Sequence, residues 1–391
     1  MSNVKLNVEE LKGFLKHVIN NNQHIQKEGK IPTAVNIEGD AGLGKTSALI
    51  QLAKEMKMDT IKLNLSQIEE LGDLVGFPFK EFLMQREDGK KAWVQETLMP
   101  TYIKARYKPM GESRMSHAAP EWIQGKTAGG FLILDDYTRA DHRFMQATME
   151  LIDRQEYISW NLPENWHIFL TTNPDNGDYN VTALDVAQKT RFITTEVKFD
   201  DKVWARWAET VGIDGRCINF LLMHPELVTE KVNPRSITTF FNSISSIKDF
   251  ESELPLIQMI GEGSVGSEFS SMFTMFINNK LDQIISPHDA MTIADEKKVM
   301  IALDDAIGGG DSYRADIASI MITRLINYSI THASKAPVTD IMVERLVKFT
   351  TDCMSFTDDL KYYMIKEIVS GNKVKFAKLM MHNSVVKMAI K

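Results

Sequence analysis

The chain has 391 residues, a formal net charge of -7, 43% hydrophobic residues and 25% charged residues. That length predicts two or three domains of ordinary globular composition, and an acidic chain offers no global attraction to nucleic acid. Its two cysteines, Cys217 and Cys353, lie far apart, which argues against a disulfide framework or a zinc site and fits a reducing compartment. Without an apolar run of ~18 residues or a signal-peptide core at the start, we expect a cytoplasmic protein with no membrane segment.

The first half of the chain alternates predicted helices and strands. Asn7 as a cap and apolar residues at helical spacing predict a helix over residues 8–19. Short apolar runs predict five strands, which are Ala34–Ile37, Thr60–Leu65, Phe131–Leu134, His167–Thr172 and Ile193–Val197. Helical patterns such as Ser47–Met56 separate them, and this alternation indicates a parallel sheet covered by helices on both faces.

After about residue 200 the strand patterns stop and helical patterns take over. The predicted helices are Val203–Val211, Gly215–Met223, Arg235–Ser245, Ser267–Asn278, Tyr313–Ser334 and Asp340–Ser355. Gly261–Gly266 matches the GxGxxG spacing of dinucleotide-binding proteins, but no strand–helix–strand unit surrounds it. We therefore reject a nicotinamide or flavin site and expect a glycine turn before a helix.

A phosphate-binding pattern, GxxxxGK[ST], occurs where the chain reads Gly-Asp-Ala-Gly-Leu-Gly-Lys-Thr. A predicted strand precedes this P-loop and a predicted helix follows it, so the helix N-terminus would point at the phosphates. Lys45 would reach the β- and γ-phosphates, and the Thr46 hydroxyl would bind Mg²⁺. The residues predicted to hold ATP are Gly39, Asp40, Ala41, Gly42, Leu43, Gly44, Lys45, Thr46 and Ser47.

Two acids, Asp135 and Asp136, follow the apolar run at residues 131–134. Open α/β sheets bind ligands at the carboxyl ends of their strands, which is where these acids would lie. We expect Asp135 to hold Mg²⁺ and Asp136 to align the water that attacks the γ-phosphate. Taken alone, the segment could equally be a strand followed by a solvated acidic turn.

Three further segments carry a family resemblance. Leu134–Asp141 reads Leu-Asp-Asp-Tyr-Thr-Arg-Ala-Asp, Phe144–Gln155 ends in Met-Glu-Leu-Ile-Asp-Arg-Gln, and Asp73–Pro78 reads Asp-Leu-Val-Gly-Phe-Pro. These resemble the LDEINRA segment, the helix ending in MEERQ and the DLxGxP element of MoxR-type AAA+ ATPases, in the dynein-related AAA group. The resemblance covers about residues 30–290. It implies an AAA+ parallel αβα P-loop sandwich followed by an α-helical lid and a further helical C-terminal domain.

The same resemblance implies roles for three more residues. Asn173, in Thr-Thr-Asn-Pro, is similar to the family's polar sensor 1, and Arg235, in Asn-Pro-Arg-Ser, is similar to sensor 2 at the start of a lid helix. Arg191, in Thr-Arg-Phe, resembles the arginine finger that reaches a neighbouring subunit's γ-phosphate. We expect Arg191 at the carboxyl rim of the sheet, and Arg139 is the competing candidate for the finger.

The chain departs from the family's pattern at two places. Asp136 stands where the family has glutamate, and its shorter side chain predicts slow hydrolysis. Lys189 and Thr190 replace the family's Leu-Asp before the finger arginine. Both departures concern turnover rather than ATP binding.

The patterns and the resemblance together divide the chain into four parts. These are an N-terminal helical segment (1–29), an AAA+ nucleotide-binding domain (30–200), a helical lid (201–290) and a helical C-terminal domain with a basic tail (291–391). Within the second part, residues 79–126 form an insertion.

Basic residues are concentrated in the insertion and in the tail. The insertion mixes them with aromatic residues, so it could grip a polypeptide, stack on bases or simply pack as a surface loop. The residues concerned are Arg86, Lys90, Lys91, Lys104, Arg106, Lys108, Arg114, Trp93, Tyr102, Tyr107 and Trp122. The tail, Lys361–Lys391, has seven lysines and one glutamate, and we favour a solvated helix face over a binding site for an acidic partner.

These features predict an ATP hydrolase that works as an oligomeric ring, six subunits by resemblance, and remodels or assembles a protein partner. The resemblance also implies a von Willebrand factor A-type partner. Two alternatives stay open. One is a nucleotide-dependent assembly module with slow hydrolysis, which Asp136 favours, and the other is a nucleic-acid motor, which the net negative charge disfavours.

Overall fold

The computed structural model describes residues 4–175, 181–278 and 284–390. The chain divides into two units, Met1–Lys198 and Phe199–Lys391. The strands of the first unit are β1 (Lys5–Leu6), β2 (Ala34–Glu38), β3 (Asp59–Asn64), β4 (Pro78–Arg86), β5 (Lys91–Gln95), β6 (Tyr107–His117), β7 (Gly130–Asp135), β8 (Glu156–Tyr157), β9 (Trp160–Asn161), β10 (Trp166–Thr172) and β11 (Phe192–Val197). Its helices are α1 (Val8–Lys27), α2 (Lys45–Glu55), α3 (Leu71–Val75), α4 (Met99–Lys104), α5 (His142–Arg154) and α6 (Val186–Lys189).

The main sheet of the first unit has the order β1-β11-β2-β10-β7-β3, and each neighbouring pair is parallel. All six residues of β7 are buried, as expected for a strand that is covered on both faces. Alternate strand residues enter two apolar cores. One core packs the sheet against α1 and α2 and the other packs it against α3 and α5. This layering confirms the predicted fold class as far as its architecture goes, a parallel αβα sandwich followed by helical regions.

Helix α1 begins as predicted but ends eight residues later than residue 19, at Lys27. Asn7 and Glu10 form a capping box at its start, which satisfies two of the N–H groups that a helix leaves free. The polar stretch after residue 19 remains helical because Asn22 is buried and its side chain bonds the backbone of Thr33 at 2.9 Å in both directions.

The insertion, residues 79–126, contains an antiparallel sheet in the order β5-β4-β6, which the sequence analysis did not predict. Most of β6 is exposed, so it lacks the apolar alternation that marks a strand. Several basic side chains are engaged within the sheet. Arg114 lies 4.5 Å from the centre of the Trp93 ring and 2.7 Å from Glu81, and Arg86 lies 5.8 Å from the Tyr107 ring.

Within its described residues, 199–278 and 284–390, the second unit is helical and contains no strand. Its helices are α7 (Asp201–Val211), α8 (Gly215–Met223), α9 (Pro234–Ser243), α10 (Leu254–Asn278), α11 (Pro287–Thr292), α12 (Glu296–Ile307), α13 (Ala315–Lys335), α14 (Asp340–Thr351), α15 (Asp358–Gly371), α16 (Ala377–Met380) and α17 (Asn383–Ile390). No individual helix was predicted at α11, α12, α15, α16 or α17. Gly266 interrupts α10 with backbone angles of φ 84° and ψ 169°, which is the glycine turn expected before residue 267.

The second unit has two apolar cores, one centred on phenylalanines of α8, α9 and α10 and one formed by α11 to α17. The basic tail contributes Phe376 and Leu379 to the second core, while Lys366, Lys373 and Lys378 are exposed. These three lysines agree with the predicted solvated helix face, whereas Lys361 is buried; Lys391 lies outside the described residues. Among the helices described, none combines the length and apolar character needed to cross a membrane.

Candidate functional site

The predicted P-loop connects the end of β2 to the start of α2 at the carboxyl edge of the main sheet. Gly44, the residue before α2, has φ 84° and ψ 15°, a left-handed conformation that glycine adopts at little cost. Because Gly44 turns the chain into the helix, the free N–H groups of the first turn face the loop, and these are the groups that bind phosphate. Ser47 lies exposed on that first turn.

Lys45 is buried, and its ammonium group contacts three oxygen atoms. It donates to the carbonyl oxygens of Gly39 and Asp40 at 2.5 and 2.9 Å, and to Oδ1 of Asn173 at 3.2 Å. Asn173 follows β10, which is hydrogen-bonded to β2 in the sheet. The structure therefore brings the predicted phosphate-binding lysine and the predicted sensor together.

The carboxylate of Asp135, the last residue of β7, contacts three donor side chains. Its Oδ1 accepts hydrogen bonds from the hydroxyls of Thr46 and Thr171, both at 2.6 Å, and its Oδ2 lies 2.8 Å from the ammonium group of Lys62. Burial raises the pKa of the Asp135 carboxyl, but the hydrogen bonds from Lys62, Thr171 and Thr46 outweigh burial and hold the pKa below its usual value. The carboxylate is therefore charged at neutral pH.

The donor set at this point fits Mg²⁺. A threonine hydroxyl and a charged carboxylate in direct contact are hard oxygen ligands, and both sit beside a loop shaped to hold phosphate. Magnesium in nucleotide sites uses one or two such protein groups and completes its shell with phosphate oxygens and water. Thr46 and Asp135 are thus the residues that would hold the ion.

Asp136 has a different environment from Asp135. Its backbone is left-handed, with φ 53° and ψ 39°, and its N–H donates to the Thr171 hydroxyl at 3.2 Å. This turns the carboxylate away from the sheet, so it is more exposed than that of Asp135 and lies 4.0 Å from the Arg139 guanidinium. Asp136 thus lies beside the site with a carboxylate that water can reach.

Arg191 was predicted at the carboxyl rim of the sheet, and that prediction is wrong. Arg191 immediately precedes β11, whose first residue pairs with Ala34 at the start of β2, whereas the P-loop follows the end of β2. A residue before a parallel strand lies at the amino edge. At ~3.3 Å per strand residue, about 15–20 Å separates Arg191 from its own P-loop. Its guanidinium donates to the Ala187 carbonyl at 2.7 Å.

Arg235 lies in the second unit, where it is exposed in the first turn of α9. Asn233 caps this helix by accepting hydrogen bonds from the N–H groups of Arg235 and Ser236, at 3.0 and 3.2 Å. The predicted start of a helix at this segment is therefore confirmed, and its role in sensing nucleotide stays a prediction.

Two residues of the site were not singled out from the sequence. Thr171 donates to Asp135 and accepts from the Asp136 N–H, so it connects both acids. Lys62, on the neighbouring strand β3, supplies the positive charge nearest to Asp135. The sequence shows a threonine two residues before the predicted sensor and a lysine in a predicted strand, but only the register of β3, β7 and β10 brings them to the acid.

Comparisons with known proteins leave the family open. No protein-family model matches the chain, and no curated protein matches it. Similar solved structures include the Thermotoga maritima RuvB Holliday junction branch migration motor, with 14% identity, 78% of this chain and 80% of that chain covered, and a TM-score of 0.35. A variant of that RuvB has 15% identity, coverage of 77% and 82%, and a TM-score of 0.37. A candidate ATPase from Cytophaga hutchinsonii has 13% identity, coverage of 71% and 81%, and a TM-score of 0.31.

The parallel αβα fold follows from the strand order, and the candidate phosphate-binding loop is defined by the contacts of Lys45 and of Thr46 with Asp135.

Proposed function

We propose that this protein is a MoxR-like AAA+ ATPase that binds and hydrolyses ATP as an oligomeric ring and remodels or assembles a protein partner. The observation that carries the proposal is the convergence of Lys45, Thr46, Asp135 and Asn173 at one sheet edge, beside a glycine loop that leads into a helix. Such a set of groups would hold ATP and Mg²⁺.

Each residue of the site has a distinct part in the proposed reaction. The N–H groups of the P-loop and Lys45 would position the β- and γ-phosphates and offset their charge. Thr46 and Asp135 would hold Mg²⁺, which adds positive charge where the phosphate oxygens become more negative. Asp136 would align the attacking water, and Asn173 would orient Lys45 through their hydrogen bond.

The position of Arg191 supports the ring. An arginine at the amino edge cannot reach the P-loop of its own chain, so as a finger it would serve the nucleotide of a neighbouring subunit. By resemblance, the ring would have six subunits, its partner would be a von Willebrand factor A-type protein, and Arg235 would act as sensor 2.

The proposed domain division is the one given by the sequence, with the nucleotide-binding domain at 30–200 and the lid at 201–290. We also propose a cytoplasmic location, and the two free, buried cysteines agree with it.

A second candidate is a nucleotide-dependent assembly module in which ATP binding locks a ring and hydrolysis is slow. It is favoured by Asp136, whose short side chain lies 4.0 Å from Arg139 and so faces a cation of its own chain. A nucleic-acid motor is less favoured. Arg114 and Arg86 contact carboxylates and aromatic rings within the insertion. These two arginines are therefore less available to bind the phosphate backbone of a nucleic acid.

The proposal is tested by measuring ATP turnover with Mg²⁺ and subunit number by native mass spectrometry, with wild type and Lys45→Ala. We expect turnover and nucleotide-dependent rings for wild type, and a loss of ATP affinity of at least about 100-fold for Lys45→Ala, because charge-assisted hydrogen bonds to the phosphates are removed. Nucleotide-dependent rings without ATP turnover would favour the second candidate, the assembly module. Equal ATP affinity of the two proteins would contradict the site itself.

A further inference from the structure

Lys62 occupies a special place beside the proposed metal ligand. It lies on β3, the edge strand next to β7, and pairs with Ile133, while Asn64 pairs with Asp135. From there its ammonium group reaches Oδ2 of Asp135 at 2.8 Å. Because Oδ1 already accepts from Thr46 and Thr171, both oxygens of the carboxylate have partners within the chain.

We propose that Lys62 competes with Mg²⁺ for the Asp135 carboxylate and thereby lowers the affinity of the site for Mg²⁺–nucleotide. This inference rests on the proposed function, since it concerns the same ATP site. Two cations beside one carboxylate oxygen repel each other, although the solvent that reaches Lys62 screens part of this repulsion. Binding of Mg²⁺ at Oδ2 therefore requires the Lys62 ammonium group to leave that oxygen.

The two partners differ in how easily they move. The Lys62 side chain is 43% exposed, whereas the Asp135 side chain is 11% exposed. The lysine can turn into water at little cost, while the carboxylate is held by two hydroxyls and by its position at the end of a buried strand. Lys62 is thus the member that leaves, and its charge stabilises Asp135 whenever no metal does so.

Lys45 does not compete with Mg²⁺ for the Asp135 carboxylate. Its ammonium group is directed to the Gly39 and Asp40 carbonyls and to Asn173, which are not metal ligands in the proposed site. The two lysines therefore have opposite effects. Lys45 favours phosphate binding with or without Mg²⁺, and Lys62 opposes only the contribution of the metal.

The test is calorimetric titration of the full chain with ADP, once with Mg²⁺ and once with EDTA. For Lys62→Met we expect Mg²⁺–ADP to bind about fivefold more tightly than to wild type, the factor that corresponds to a partly exposed ion pair. Binding in EDTA should change less than twofold, because no metal competes. Lys62→Arg keeps the charge and should resemble wild type.

Lys126→Met is the matched control. Lys126 forms an ion pair at 2.7 Å with Asp59, the first residue of β3, and its side chain is 39% exposed. Asp59 pairs with Gly130, at the end of β7 opposite to Asp135. The Lys126→Met variant should leave both affinities unchanged. A second readout is thermal unfolding without nucleotide, in which added Mg²⁺ should stabilise Lys62→Met more than wild type because the variant's Asp135 lacks a cation.

Weaker Mg²⁺–ADP binding by Lys62→Met would overturn the inference and identify Lys62 as a phosphate contact. An unchanged ratio of the Mg²⁺ and EDTA affinities would also overturn it, while leaving the proposed function intact if wild type binds ADP. If wild type binds no ADP at all, the proposed function fails and this inference fails with it.

Discussion

Buried polar side chains differ in their hydrogen bonding between the two edges of the main sheet. At the carboxyl edge, Lys45 donates to Asn173, and the Thr46 and Thr171 hydroxyls donate to Asp135. Near the amino edge, His167 in β10 and Arg191 before β11 have buried nitrogen atoms without a hydrogen-bond partner in the described part of the chain. These atoms are both ring nitrogens of His167 and Nε of Arg191, although Asp153 lies 3.8 Å from that Nε.

An unpaired buried polar atom costs about 1–3 kcal/mol, so such atoms in a native protein need an explanation. At the carboxyl edge, these polar side chains all have partners within the chain, as expected if the proposed nucleotide site is preformed. Arg191 is held in place by the Ala187 carbonyl, yet its buried Nε has no hydrogen-bond partner among the described residues, and Asp153 lies 3.8 Å from that nitrogen. This contrast fits an arginine that serves a second subunit, and it predicts that the two edges can be separated by mutation.

The largest effect is expected for Arg191→Ala. If the amino edge acts on a neighbour, this variant should bind ATP normally but lose turnover by about 10³–10⁵, the range that an arginine finger contributes in other phosphoryl-transfer systems. Mixing it with Lys45→Ala should restore part of the activity, because some interfaces then pair an intact P-loop with an intact finger. Turnover of each variant and of the mixture is the measurement.

Arg139 is the matched alternative for this experiment, since it is exposed at the carboxyl edge and lies 4.0 Å from Asp136. Under the trans model, Arg139→Ala mixed with Lys45→Ala should show no comparable rescue. An inactive Arg191→Ala mixture, in which native mass spectrometry nevertheless detects mixed rings, would remove Arg191 as the finger.

A smaller effect is expected at the carboxyl edge itself, for Asp136→Asn. The amide is nearly the same size but cannot orient and polarise water, so turnover should fall by about 10²–10⁴ while ATP affinity stays within twofold. Asp136→Glu introduces the residue of the MoxR-type pattern that the segment resembles, and it should raise turnover if the short acid limits the rate. Wild-type turnover in Asp136→Asn would show that another group aligns the water.

What could be predicted from the sequence follows the same division. The P-loop and the acid pair are contiguous stretches next to apolar runs, so local pattern was enough to place them. Lys62 and Thr171 reach Asp135 only through the register of three strands, and a slip of one residue would turn every side chain to the other face. Arg191 was placed at the wrong edge because the prediction ignored the direction of β11, since a residue that precedes a parallel strand lies at the amino edge.

The insertion shows a second limit. Its strands were missed because β6 is largely exposed and its sequence, YKPMGESRMSH, shows no regular alternation of apolar with polar residues. The long polar helix end at residues 20–27 was missed for a related reason. Asn22 is buried there only because Thr33 returns to pair with it, which is a tertiary contact that no local pattern contains.

The smallest effect concerns His167 and appears as a dependence of stability on pH. Burial without a hydrogen-bond partner lowers the pKa of His167 to about 4 in the folded chain, against about 6.5 when unfolded. Below pH 6.5 the unfolded chain binds a proton that the folded chain does not, so stability falls as the pH drops towards 4. At pH 5 this loss is about 2 kcal/mol.

His167→Leu should remove that loss, because leucine cannot be protonated and suits the neighbouring Phe131 and Phe169. Buried carboxylates such as Asp135 also lose stability in acid, so the informative quantity is the difference between variant and wild type. Urea unfolding should give a difference that grows by about 2 kcal/mol from pH 7.5 to pH 5. The exposed His142→Leu is the control and should show no such growth. A constant difference for His167→Leu would mean that His167 is protonated or paired in the folded protein, and the contrast between the two edges would then rest on Arg191 alone.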